Sequence, residues 1–143
     1  KRIQDSVKQI KPWVELGVSP FGVWRNASKD PKGSATQAGV TNYDDLYADV
    51  ILWADSGWVD YLAPQLYWEL GKKVADYAVL APWWQDNVKK SKLYFGLYAS
   101  GLEVNKPKAW KTPNELVRQL RFNEECIKND GVIFYSTKYF FLV

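Results

Sequence analysis

The sequence predicts an α/β chain of parallel βα units that amounts to half of a TIM-type (β/α)8 barrel. Three observations carry this. Helix-type and strand-type patterns alternate, with the strand patterns roughly 30 to 50 residues apart, the spacing of crossover connections rather than hairpins. Each strand pattern has two unlike faces, one rich in Leu, Val and Phe, the other mixing Gly17, Ser19, Gln65, Gly96 and Tyr98. A doubly wound sheet is apolar on both faces, whereas a barrel lumen accepts small and polar side chains. Only four such strands are found, and a closed barrel of this type needs eight.

The elements follow in order. Ile3, Val7 and Ile10 share one helical face across residues 2–11, and Pro12 ends that run. Val14 to Ser19 reads as a strand, with Leu16 and Val18 facing one way and Glu15, Gly17 and Ser19 the other. Residues 25–41 form a long polar loop. Thr41 or Asn42 is expected to cap a helix bearing Tyr43, Leu46, Tyr47, Val50, Trp53 and Ala54, with Gly57 as its stop. Asp44, Asp45 and Asp49 would then favour the dipole of its first turns.

The second strand, Val59 to Tyr67, alternates Tyr61, Ala63, Gln65 and Tyr67 against Leu62, Pro64 and Leu66. A third helix falls within 75–90, with Pro82 either kinking it or following a start at Ala81. Leu93 to Tyr98 is the third strand. Thr112-Pro113-Asn114-Glu115 opens a fourth helix with an N-cap Thr, Pro at the first position and a capping-box Glu. Leu116, Leu120 and Ile127 line its buried face, Gly131 closes it, and Val132 to Ser136 is the last strand.

Composition narrows the function. At 143 residues and 47% hydrophobic content the chain can bury a core. The net charge of +3 comes from scattered basic residues, which argues against nucleic acid as a partner. No apolar run approaches the length of a membrane span. Without an initiator Met or a targeting segment, the chain reads as a piece of a longer protein. One cysteine, Cys126, excludes an intrachain disulfide. The absence of histidine excludes His-ligated metal sites and His bases in this segment, and no metal or cofactor is expected. Acid–base chemistry would fall to carboxylates, Tyr or Lys. Eight Trp, nine Tyr and six Phe suit a saccharide site, where ring faces meet sugar C–H faces; each ring taken singly is more often core filler.

Four ordered runs carry a specific resemblance. They are Gly17-Val18-Ser19-Pro20-Phe21-Gly22-Val23-Trp24-Arg25-Asn26, Tyr43-Asp44-Asp45-Leu46-Tyr47-Ala48-Asp49, the stretch from Gly57 to Trp68, and the Trp83-Trp84 pair followed by Leu93-Tyr94-Phe95-Gly96. Together they resemble the glycosyl-hydrolase-like family 10 domain. The resemblance implies a (β/α)8 barrel in bacterial proteins that are periplasmic, envelope-anchored (as lipoproteins) or extracellular, acting on polysaccharide, with peptidoglycan glycan strands as the substrate class. It also implies that residues 1–143 are the C-terminal half of that domain, strands five to eight, with strands one to four missing.

Barrel sites form at the C-terminal ends of strands. That selects Trp24, Arg25 and Asn26 after the first strand, Tyr67, Trp68 and Glu69 after the second, Tyr98 and Ser100 after the third, and Ser136 and Lys138 after the fourth. Arg25 either grips a sugar with its planar fork or holds the loop by a salt bridge. Asn26 either meets hydroxyls or caps a turn. Gln65 contacts ligand or belongs to an internal polar layer. Of Tyr67 and Trp68, alternation lets at most one face the sugar. Glu69 is the candidate catalytic carboxylate, as one member of the pair that glycoside hydrolysis uses, or else a solvated loop residue. Asp60 and Glu15, near strand starts, read as structural. Many barrel hydrolases of the retaining type carry carboxylates after strands four and seven, but here the third strand ends Tyr98-Ala99-Ser100-Gly101 and the first carboxylate beyond it is Glu103.

Three functions fit: half of a glycosidase, a carbohydrate-binding domain without catalysis, or an inactive folding unit. The isolated piece is expected to lack activity. Its open strand edges favour self-association, or pairing with the missing half-barrel.

Overall fold

The computed structural model describes residues 1–102, 108–111 and 114–140. Its elements run α1 (Arg2–Ile10), β1 (Gly17–Val18), α2 (Val50–Asp55), β2 (Tyr61–Leu62), α3 (Tyr77–Asn87), β3 (Lys92–Leu97), α4 (Asn114–Cys126) and β4 (Gly131–Phe134). Short 3-10 segments follow β3 (Ala99–Leu102), precede α4 (Lys108–Trp110) and follow β4 (Thr137–Phe140). The strands form one four-stranded sheet in the order β1-β2-β3-β4, every pair parallel. An all-parallel sheet joined by helical crossovers is consistent with half of a TIM-type barrel.

The two faces divide as strand alternation requires. Leu62, Leu66, Leu93, Phe95 and Leu97 are buried against Tyr77, Leu80 and Trp84 of α3 and Leu116 of α4. Gly17, Ser19, Tyr61, Ala63, Tyr67 and Gly96 instead line a cleft of about 240 Å³ on the opposite face. Tyr77 ties the outer layer together, its hydroxyl donating to Asn123 Oδ1 on α4 at 2.9 Å.

β1 and β2 are shorter than the sequence suggests. Pro20 and Pro64 have no N–H to give to a ladder, so pairing continues only as isolated bridges, Phe21 to Gln65 and Gln65 to Gly96.

The helix expected from Thr41 does not start there. It begins at Val50, capped by Asp49, whose carboxylate accepts from the Leu52 N–H. Tyr47 stands at φ 52°, in the left-handed region that breaks helical continuity for a bulky residue. Thr41 and Asn42 anchor a loop instead. The Asp45 carboxylate accepts from the Thr41 N–H and hydroxyl, and the buried Asn42 amide donates to the Phe21 and Val23 carbonyls. Asp44 and Asp45 therefore serve side-chain partners rather than a helix dipole. Gly57, at φ +65°, does follow the end of α2.

Pro82 lies inside α3, which starts under the Asp76 cap and not at Ala81. Burial of Tyr77, Leu80, Ala81 and Trp84 offsets the backbone bond that Pro82 forfeits. The expected cap at Thr112 and Pro113 falls outside the described residues. Glu115 is buried, and its carboxylate accepts from the Leu70 N–H and from Gln119 and Arg118 of its own helix.

At the N-terminal rim two aspartates act alike. Asp60 donates its N–H to the Leu16 carbonyl and accepts the Leu16 N–H, both at 2.7 Å. Asp130 does the same with Leu93, again at 2.7 Å each way. Each clamp locks the start of one strand to the approach of the next. Glu15, on the same rim, pairs with Lys92. Burial opposes the charge on Asp60, but the Leu16 N–H and the Lys8 ammonium 3.0 Å away outweigh it and hold its carboxyl below the usual range.

Asp60→Ala leaves the Leu16 N–H without this acceptor and is expected to cost about 1–3 kcal/mol, read from denaturant unfolding of the full-length protein. Because the folded pKa of Asp60 is depressed, this contribution is present above its unfolded pKa and fades as pH falls through the folded one. The wild-type and variant stabilities should therefore converge in acid.

Candidate functional site

The C-terminal rim is built from the loop after β1 and from tyrosines at the ends of β2, β3 and β4. Arg25 is the hub of the loop. Its Nε and Nη2 grip Asp44 at 3.1 and 2.7 Å, and Nη1 meets Asp30 at 2.8 Å. Its guanidinium also lies 4.4 Å from the Tyr43 ring centroid, a cation–π contact. The hydrogen bonds to Asp44 keep Arg25 more firmly protonated and hold the Asp44 carboxyl below its usual range. Asn26 closes the same loop, accepting from Thr36 Oγ1 and the Ala38 N–H and donating to the Ala38 carbonyl. Both residues are engaged in holding the loop. Trp24 is buried, stacked on Trp83 at 5.9 Å, and donates to Asp49.

Tyr67 and Trp68 part as alternation demands. Tyr67 lies on the cleft face. Trp68 turns away to pack edge-on against Phe21, and its carbonyl accepts from Gln119. Gln65 reaches across toward β1, its Nε2 donating to the Ser19 carbonyl at 3.2 Å in a solvent-exposed hydrogen bond.

A row of rings crosses the strand ends. Tyr67 stacks on Tyr98 at 5.2 Å with 23° between planes, and on Tyr135 at 5.8 Å with 24°. Trp110 meets Tyr98 edge-on at 5.4 Å. Tyr67 follows β2 yet reaches a residue beyond β4, passing over β3 where Gly96 has no side chain. A Cβ there would lie 3.1 Å from the Pro64 carbonyl oxygen and 3.5 Å from the Tyr67 ring. Burial, then the neighbouring Tyr135 and Tyr98, pushes the Tyr67 phenol above its ordinary 10. It is therefore a neutral hydrogen-bonding group at physiological pH.

Glu69 stands at the far end of this row. One carboxylate oxygen accepts from Trp110 Nε1 at 3.2 Å and the other from Lys72 Nζ at 3.2 Å. Burial opposes its charge, but its own backbone N–H, Lys72 and Trp110 prevail and hold the carboxyl below the ordinary 4.5. Glu69 does not line the inner-face cleft; Trp110, which it holds, is the ring that meets Tyr98.

Tyr67 and Tyr98 are thus brought together with Tyr135 and Trp110, which the sequence reading did not single out. Tyr135 was within reach, since it precedes Ser136 on a face that alternation defines. Trp110 follows a stretch without periodicity, and no sequence signal links it to Glu69. Ser100 takes part through its backbone, its N–H donating to the Tyr135 carbonyl. Among the described residues no group of His, Cys, Asp and Glu could hold a metal ion.

A parallel half-sheet with an aromatic site at its strand ends narrows the comparison with known proteins. The model of the glycosyl hydrolase-like 10 family matches residues 1–114. The chain belongs to this family. It is 47% identical to the glycosyl hydrolase YngK of Bacillus subtilis (strain 168) over 140 residues, 96% of this chain and 28% of that protein. It is 41% identical to the glycosyl hydrolase DigH of Escherichia coli (strain K12) over 145 residues, 96% of this chain and 33% of that protein. The chain therefore spans a third or less of the length of these curated relatives. The glycosyl hydrolase-like 10 match includes the loop, Glu69 and Tyr98, and ends before Tyr135.

Gly96→Ala tests the crossing of Tyr67 over β3. The added methyl would lie 3.1 Å from the Pro64 carbonyl oxygen, tight enough that the backbone must shift by a few tenths of an ångström, so a loss of about 1 kcal/mol is expected. Gly39→Ala, where a Cβ meets nothing within 4 Å, should be neutral or slightly stabilising. Paired thermal melts of the full-length protein check this.

Proposed function

We propose that this chain is the sugar-binding half of a barrel that hydrolyses polysaccharide, with peptidoglycan glycan strands as substrate and the four strands standing as five to eight of the barrel. The observation that carries the reading is the tyrosine row, Tyr98, Tyr67 and Tyr135, across the C-terminal strand ends, where barrel enzymes bind their substrates. The family and the printed names of its relatives support the reaction type. An envelope or extracellular location belongs to the same proposal, because glycan strands of that kind lie outside the cytoplasm.

Glycoside hydrolysis takes one carboxylic acid that protonates the leaving oxygen and one carboxylate that activates water or attacks the sugar. Glu69, held ionised by Lys72 and Trp110, fits the second role and not the first. The proton donor then comes from the strands outside this chain. A second reading is favoured by the same contacts. Both Glu69 oxygens are already engaged, so Glu69 would orient Trp110 and the row beside it, leaving catalysis entirely to the other strands.

The uncovered apolar residues near the β1 edge, Ile3, Ile10 and Trp13, support pairing of this half with the remaining strands, or with a second copy when the chain is isolated.

Glu69→Gln in the full-length protein, assayed on glycan strands, separates the readings. A catalytic Glu69 predicts a kcat loss of at least about 10²-fold with binding retained. The acidic limb of the wild-type profile should also fall below pH 4.5. A change under tenfold assigns Glu69 to orientation.

A further inference from the structure

The aromatic row has two unlike ends, and we infer that the open face of Tyr135 is the sugar platform of the cleft, setting affinity for the glycan proposed above. This inference rests on that reading of the function. Tyr67 is the middle ring, half-buried, with a near-parallel neighbour in Tyr98 and another in Tyr135, so it is engaged by protein on two sides of the row. Tyr98 is engaged by Tyr67 and by the edge of Trp110, and Trp110 itself is only 2% exposed. Tyr135 is 58% exposed and lines the cleft beside Gly96 and Ile133.

The platform is also fixed in place. The Tyr135 N–H donates to the Leu97 carbonyl and its carbonyl accepts from the Ser100 N–H, each at 2.9 Å. The backbone is thus held on both sides by β3 and the turn that follows, while Tyr67 backs the ring. A rigid, half-exposed ring loses little conformational freedom when a sugar face settles on it. The half-buried Tyr67 and Tyr98 set the angle of the platform, and the most exposed ring of the row is Tyr135.

The test uses the full-length protein and soluble peptidoglycan glycan strands, with Kd from calorimetry and KM and kcat from turnover. Tyr135→Ala and Tyr135→Leu are expected to raise Kd and KM about five- to tenfold, the size of a single aromatic contact, with kcat within twofold. Leu keeps apolar bulk without a π face, so its failure cannot be read as a cavity. Tyr135→Phe should stay within twofold of wild type, and Tyr135→Trp, with a larger face, should bind more tightly. Kd unchanged in the Ala and Leu variants overturns the platform, including when their melting temperature falls, since the ring then packs against the rest of the protein. A Phe variant as weak as Ala also overturns it, because the hydroxyl and not the face would be responsible. Wild type that fails to bind glycan strands overturns both this inference and the proposed function.

Discussion

The inner face of this sheet depends on two positions that carry no side chain. A Cβ on Gly17 would sit 2.0 Å from the Tyr61 ring, and one on Gly96 would sit 3.1 Å from the Pro64 carbonyl oxygen, in contact with Tyr67. Strands in a sheet lie about 4.8 Å apart, too close for large side chains to lie flat over their neighbours unless those neighbours are bare. The glycines let tyrosines from β2 fold sideways along the sheet. The result is two tiers of rings, Tyr61 against Tyr94 below and Tyr98, Tyr67 and Tyr135 at the strand ends. The cleft is what remains between them.

The two rims divide their labour as parallel barrels do. At the N-terminal rim the Asp60 and Asp130 clamps spend their carboxylates on strand-start N–H groups, which fixes register and leaves nothing for a ligand. At the C-terminal rim the charges of Arg25, Asp30 and Asp44 are spent on one another, shaping the loop beside the site. Among the described residues the cleft lining is uncharged and mostly aromatic or small. Such a surface suits a glycan, which offers C–H faces and hydroxyls rather than a dense charge.

Much of this was legible in the residues, and the failures have local causes. Alternation along Leu93 to Tyr98 placed the buried and cleft faces correctly, because a period of two leaves no ambiguity once one face is apolar. The helix expected from Thr41 failed because Tyr43, Leu46, Tyr47 and Val50 mimic a helical stripe while Asp44 and Asp45 are drawn to Arg25 and Thr41. Composition cannot show such competition between side chains and a helix. The tyrosine row was half visible: Tyr67 and Tyr98 stand at strand ends, but the stacking of Tyr67 on Tyr135 passes over β3, a relation across three strands. Trp110 was invisible because its place is set by Glu69 and Tyr98, far from it in sequence.

The proposed sugar position is at the C-terminal ends of β2 to β4, on the cleft face of the sheet. Its most direct test is a crystal structure of the full-length protein with a bound glycan oligosaccharide. The expected result is a sugar ring lying flat on Tyr135, within van der Waals contact of the ring and above Gly96. Sugar held wholly by residues of the other strands, with the tyrosine row covered by protein, would contradict it.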